Sequence, residues 1–104
     1  MSRELIISTL SEKFNGNKQM TIDFLNQSII RLIESQKLLE TAIEASNIED
    51  IKFYSHKIKY TCSLYNWLKL VELIKEIEIE TPKETLKKAK QLISDINKNL
   101  QKIS

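Results

Sequence analysis

Apolar residues recur at Ile22, Leu25, Ile29, Leu32, Leu39 and Ile43, a spacing of three and four interrupted by the polar Gln36, with Phe24, Ile30 and Ile33 widening the stripe. A period near 3.6 residues collects these side chains on one side of a helix, so the pattern predicts a long amphipathic helix over roughly 18 to 46. The same spacing runs through Ile48, Ile51, Ser55, Ile58, Cys62 and Tyr65, then through Trp67, Leu70, Ile74 and Ile77. Leu86, Ala89, Ile93, Ile96, Leu100 and Ile103 form the most regular row. Ahead of these, Leu5, Ile6, Leu10 and Phe14 predict a short leading helix.

Boundary residues agree with that division. Thr81-Pro82-Lys83-Glu84 combines an N-cap threonine, a proline at the first helical position and a capping-box glutamate. Asn47 with Asp50 is a weaker start signal, and Asn15-Gly16-Asn17 is a turn cluster. Only Glu76-Ile77-Glu78-Ile79-Glu80 alternates with the period of a strand. With no second alternating segment to pair with, it reads as the end of the third long helix, with Ile79 partly exposed. Four long amphipathic segments joined by short connections predict an all-α domain, an antiparallel up-down-up-down four-helix bundle preceded by the short leading helix. Ile22, Leu25, Leu32, Leu39, Ile51, Ile58, Leu70, Ile74, Ile93, Ile96 and Leu100 are the expected core.

Composition narrows the function classes. The chain has 104 residues, enough for one domain over 1–104. One glycine leaves no phosphate-cradling or dinucleotide loop, so no nucleotide cofactor is expected. A single cysteine, Cys62, permits no internal disulfide and is expected to be an inert thiol in the core. No paired cysteines, HExxH or second histidine point to a metal site. Apolar runs are broken by charge well short of the roughly 18 residues a membrane span needs. With no signal-peptide pattern at Met1-Ser2-Arg3-Glu4, the expected location is the cytoplasm. A net charge of +2 does not by itself argue for nucleic acid. The lysines of the last segment, Lys83, Lys87, Lys88, Lys90, Lys98 and Lys102, fall on the outer side of an amphipathic helix, the usual place for solubilising charge. Glu72, Glu76, Glu78 and Glu80 read as a solvated acidic face.

The single histidine, His56, falls beside the core row of Ser55 and Ile58, so its ring should reach solvent. Its helical neighbours are Glu49, Lys52, Phe53, Lys59, Tyr60 and Ser63. A lone exposed histidine is most often only part of a solvated face. Free imidazole titrates near pH 6.5, roughly, and near pH 7 its unprotonated nitrogen is a nucleophile without a separate base. Lys59, one turn on, would place an ammonium where a transferred phosphoryl group spreads negative charge.

The segment His56-Lys57-Ile58-Lys59-Tyr60-Thr61-Cys62 resembles the phosphoacceptor signature of histidine-containing phosphotransfer (HPt) domains. The family's small residue before the histidine falls on Ser55, its apolar residue on Ile58 and its lysine on Lys59. Its later apolar helix closing in a glutamate falls on Leu70, Leu73, Ile74, Ile77 and Glu78. Asn66 stands where the family has a turn glycine, and asparagine tolerates left-handed backbone. Phe14-Asn15-Gly16-Asn17 with Phe24 resembles the approach to the family's first long helix, and Ala42 to Asp50 its first helix-to-helix crossing. The chain departs from the pattern at Tyr60, where the family favours glycine or another small residue. Four roles are open to that tyrosine: shielding the ring, slowing transfer, donating its hydroxyl to a phosphoryl oxygen, or docking a partner without transfer.

The resemblance implies a monomeric phosphorelay intermediate without ATP-dependent kinase activity of its own. His56 would take a phosphoryl group from an aspartyl phosphate on a response-regulator receiver domain and pass it to another, a hybrid sensor histidine kinase standing upstream. Lys59 would stabilise the group. Lys52, Phe53, Tyr60 and Ser63 would form the docking patch with the adjoining face of the first long helix. Catalytic carboxylates and Mg²⁺ would belong to the receiver, and no nucleic acid or membrane is implied. The alternative is a degenerate HPt-like interaction module that binds a receiver or another protein without phosphotransfer.

Overall fold

The structure, a computed structural model, describes residues 3–103. Among these residues five α-helices follow one another: α1 (Arg3–Ser11), α2 (Lys18–Glu44), α3 (Ile48–Leu64), α4 (Leu68–Ile79) and α5 (Pro82–Ile103), with a 3-10 turn at Glu12–Phe14. Among the described residues there is no strand. Each long helix packs on the next in sequence, α5 also packs on α3 and α2, and α1 lies against α2.

Local chemistry explains the breaks. Asn17 accepts from the backbone N–H of Met20 (3.0 Å) to open α2, and Asn47 from that of Asp50 (3.1 Å) to open α3. These side chains satisfy N–H groups that no intrahelical carbonyl can reach. Three helical segments end on non-glycine residues with left-handed backbone: Asn15 (φ 53°), Ser46 (φ 51°) and Asn66 (φ 60°). Asn66 takes the left-handed turn conformation that glycine most often supplies after a helix. The alternating stretch 76–80 is helical through Ile79, after which Glu80 is extended (ψ 164°). Ile79 is 83% exposed, more than the partial exposure its spacing suggested, because it sits on the outer side of the last α4 turn.

The core joins Ile6 and Leu10 of α1 to Leu25, Leu32 and Leu39 of α2, Ile51, Ile58 and Cys62 of α3, Leu70, Ile74 and Ile77 of α4, and Ala89, Leu92 and Ile96 of α5. Burial of each large side chain stabilises the fold by about 1.5–3 kcal/mol. Burial also pushes the Cys62 thiol up to about 12, so it stays protonated and unreactive.

Two rows are rotated from expectation. On α2 the innermost residues are Thr21, Leu25, Ser28, Leu32, Gln36, Leu39 and Ala42; Ile22 is only half-buried. On α5 they are Thr85, Ala89, Leu92, Ile96 and Ile103, while Ile93 and Leu100 are half-buried. Ile93 and Leu100 line the seam between these helices, where Leu100 shares a shallow groove with Ile29 and Ile33, and Ile93 another with Ile43. The polar residues that took their places have partners. Gln36 donates to Asn97 across that seam (2.6 Å), Ser28 bonds the Tyr65 hydroxyl, and the Thr85 hydroxyl reaches the carbonyls of Ile77 and Glu80 (3.4 Å each). A polar group with a partner can be buried at little cost.

Candidate functional site

The α3–α4 connection sets the site. Beyond Leu64 the N–H of Asn66 bonds the carbonyl of Ser63 (3.1 Å), and that of Trp67 bonds Cys62 (2.9 Å). Tyr65 and Trp67, both buried, meet edge to face at 5.0 Å and anchor this turn in the core. The turn returns α4 along α3 and brings Glu78, 22 residues away in sequence, beside His56.

His56 presents 68% of its side chain to solvent, as its position beside the core row requires. Its Nδ1 lies 3.0 Å from Oε1 of Glu78, and Nζ of Lys59 lies 2.9 Å from the same oxygen. The His56 hydrogen bond, and after it that of Lys59, hold the Glu78 carboxyl below its ordinary value of 4.5, against partial desolvation that pushes the other way. An ionised carboxylate only accepts, so the proton of a neutral His56 ring belongs on Nδ1. The lone pair is then on Nε2, the nitrogen not engaged by Glu78. One carboxylate thus fixes the tautomer of a neutral His56 and the position of the Lys59 ammonium.

The expected docking residues divide. Phe53 (54% exposed) and Tyr60 (69% exposed) flank His56 one turn to either side, and Ser63 is exposed on the same row. The Lys57 ammonium lies 4.9 Å from the centre of the Phe53 ring, a cation–π distance. Lys52 turns away, donating to the Glu80 carbonyl at the end of α4 (3.4 Å), where the helix dipole favours a cation. Ser55, immediately before His56, is fully buried, and its hydroxyl has no hydrogen-bond partner among the described residues. Tyr60 borders a groove between α2 and α3 with Arg31, Glu34, Leu38, Lys57 and Thr61; His56 does not line it.

The expectation of a solvated acidic face holds for Glu72 and Glu76, which are exposed, and is corrected for Glu78 and Glu80, which are half-buried. Glu78 faces α3, and Glu76 (3.4 Å) and Glu80 (2.8 Å) both hold Lys88 of α5. Only Glu72 keeps to its own helix, pairing with Lys75 at 3.3 Å. Composition and period did not single out Glu78 as a site residue; the one sequence signal for it was its place at the close of the apolar helix after the histidine. No group of three metal-ligating side chains occurs among the described residues, and no described helix is long and apolar enough to cross a membrane. No family model, curated protein or solved structure matches the chain.

Proposed function

We propose that this domain is a phosphorelay intermediate in which His56 accepts a phosphoryl group from a receiver-domain aspartyl phosphate and hands it to a second receiver. The observation that carries the reading is the shared Glu78 oxygen, 3.0 Å from His56 Nδ1 and 2.9 Å from Lys59 Nζ. In the first step Nε2 attacks phosphorus, the N–P bond forms, and the P–O bond to the donor aspartate breaks with its carboxylate leaving. The ring gains positive charge as the bond forms, and the Nδ1–H stays directed at the Glu78 carboxylate, which stabilises that charge. Lys59 is one helical turn from the acceptor and shifts from Glu78 toward the phosphoryl oxygens. The return step reverses these bond changes on the next receiver's aspartate.

In the same reading α2 to α5 form an up-down-up-down bundle with α1 leading, and the exposed α3 row of Phe53, His56, Tyr60 and Ser63 is the face a receiver covers. The domain works without a nucleotide of its own, as a monomer in the cytoplasm, below a hybrid sensor kinase. The test is incubation with phosphorylated receivers from the same organism. The wild-type chain should gain an acid-labile label, and His56→Gln should gain none while keeping its helical circular dichroism, because an amide forms no phosphohistidine N–P bond. Acid-labile label on His56→Gln would overturn the reading, since the chain has no other histidine.

A further inference from the structure

The row of α3 that meets the end of α4 has a small residue at its centre. Lys52, Ser55, His56 and Lys59 are spaced so that they fall on one side of the helix. Three of the four reach the end of α4: Lys52 donates to the Glu80 carbonyl (3.4 Å), and His56 and Lys59 both bond the Glu78 carboxylate (3.0 and 2.9 Å). Ser55 lies among them and is 0% exposed, so α4 closes over it. Its hydroxyl has no hydrogen-bond partner among the described residues; what the position supplies is therefore its small volume.

The end of α4 is also held from its other side. The Thr85 hydroxyl of α5 reaches the carbonyls of Ile77 and Glu80 (3.4 Å each), and Lys88 holds Glu76 (3.4 Å) and Glu80 (2.8 Å). A last turn drawn in by α3 and α5 comes to rest on what lies beneath it, because a packed interior leaves no slack for an added methyl group. The tolerance is narrow. His56 Nδ1 and the Glu78 oxygen are 3.0 Å apart, and a displacement of about 0.6 Å more takes the pair past hydrogen-bonding distance.

We infer that Ser55 is a positioning residue: its size sets the distance between α3 and the last turn of α4, and so decides whether Glu78 can hold the Nδ1–H of His56. The inference rests on the phosphotransfer reading for its consequence, an Nε2 lone pair ready to attack phosphorus, while the tautomer itself can be read without any transfer. Ser55 touches no reacting group. It acts through Glu78, and its effect ends where Glu78 is removed.

The experiment crosses size with the hydroxyl at position 55. Ser55→Ala removes the hydroxyl alone, Ser55→Thr adds a methyl group, and Ser55→Val has the size of threonine without a hydroxyl. The tautomer of His56 is read from its two ring nitrogen-15 shifts at about pH 8, well above the value of roughly 6.5 at which free imidazole titrates. Transfer from a charged receiver is followed in the same proteins.

Wild type and Ser55→Ala should show the Nδ1–H form, and Ser55→Thr and Ser55→Val should move the ring toward the Nε2–H form. Transfer at saturating receiver should slow about tenfold in the two larger variants, as for the loss of one charge-assisted hydrogen bond. The receiver concentration giving half the maximal rate should stay the same, because residue 55 lies beneath the docking row. On a Glu78→Gln background the larger variants should slow transfer no further, since both changes remove one interaction. An unchanged tautomer in both larger variants overturns the inference, as does a wild-type ring in the Nε2–H form or an added slowing on the Glu78→Gln background. A tautomer shift in Ser55→Ala would give the role to the hydroxyl and also end it, and failure of both larger variants to fold would make residue 55 core packing alone. Failure of the phosphotransfer reading looks different: wild type takes no acid-labile label, while the tautomers are still read.

Discussion

The outer faces of α3 and α5 are both exposed, both helical and both rich in lysine, yet they are built differently. On α3 each lysine is engaged: Lys59 with Glu78, Lys57 over the Phe53 ring, Lys52 on the Glu80 carbonyl. On α5, Lys83, Lys87, Lys90, Lys98 and Lys102 are exposed and make no ion pair or side-chain hydrogen bond among the described residues; Lys88 alone is held, by Glu76 and Glu80. The α3 row also carries Phe53 and Tyr60, while Gln91, Ser94 and Gln101 fill the α5 row. The α5 stripe is therefore a solvated charge layer, and the α3 face is an organised one, because a second helix supplies the acid that positions its side chains. Counting lysines does not separate the two faces. Asking what each lysine touches does.

The largest effect is expected from beneath the α3 face. Ile58 is 1% exposed beneath the row of Phe53, His56 and Tyr60, and Ile58→Ala should cost about 2–5 kcal/mol by leaving a cavity. Urea unfolding measures it; a change within error would mean that α3 is rotated, and with it the exposure of His56.

The next effect bears on the link between α3 and α4. Glu78→Gln keeps the size of the side chain and removes the charge shared by His56 and Lys59. Transfer from a charged receiver should slow about tenfold, the equivalent of one charge-assisted hydrogen bond of about 1.4 kcal/mol. Rapid-quench kinetics would read it. A rate equal to wild type would reduce Glu78 to a surface charge no more organised than those of α5.

Stability should register the same group more weakly and with a definite sign. Because the folded-state pKa of Glu78 lies below its ordinary value of 4.5, its stabilisation is present above that value and is lost as pH falls through the depressed one. For partly exposed pairs the size is about 0.5 kcal/mol. Wild type should thus exceed Glu78→Gln in urea unfolding at pH 7, and the gap should close as the pH falls through the depressed Glu78 value. A gap that widened on acidification would contradict the ion pairs.

The smallest change is expected on the other face. Replacing Lys83, Lys87 and Lys90 together by Gln should leave transfer from a charged receiver within twofold, and stability within about 0.5 kcal/mol per site. A large loss of transfer would make α5 part of the docking surface and its lysines as organised as those of α3.

How much of this was legible beforehand varies with how local the cause is. The breaks at Asn17, Asn47 and Pro82 were readable because a cap acts over three or four residues, and so was the exposed position of His56, which follows from the period of one helix. The rotation of α2 and α5 was not. Nothing near Gln36 in sequence says that Asn97, 61 residues on, will accept its hydrogen bond, and without that partner an isoleucine is the better guess for the inner row. Glu78 looked like its acidic neighbours because period two and period 3.6 both leave it off the core.

The sequence alone determined the helices, their order and the row on which the histidine stands, since these depend on backbone preferences and on one-dimensional spacing. Tertiary structure alone decided that one carboxylate oxygen would serve both His56 and Lys59, that Tyr60 would border a groove with α2, and that among the described residues Lys88 would be the one α5 lysine held by acids. Each of these depends on the distance between side chains on different helices, which is set only when the core packs and fixes how each helix is turned against its neighbours.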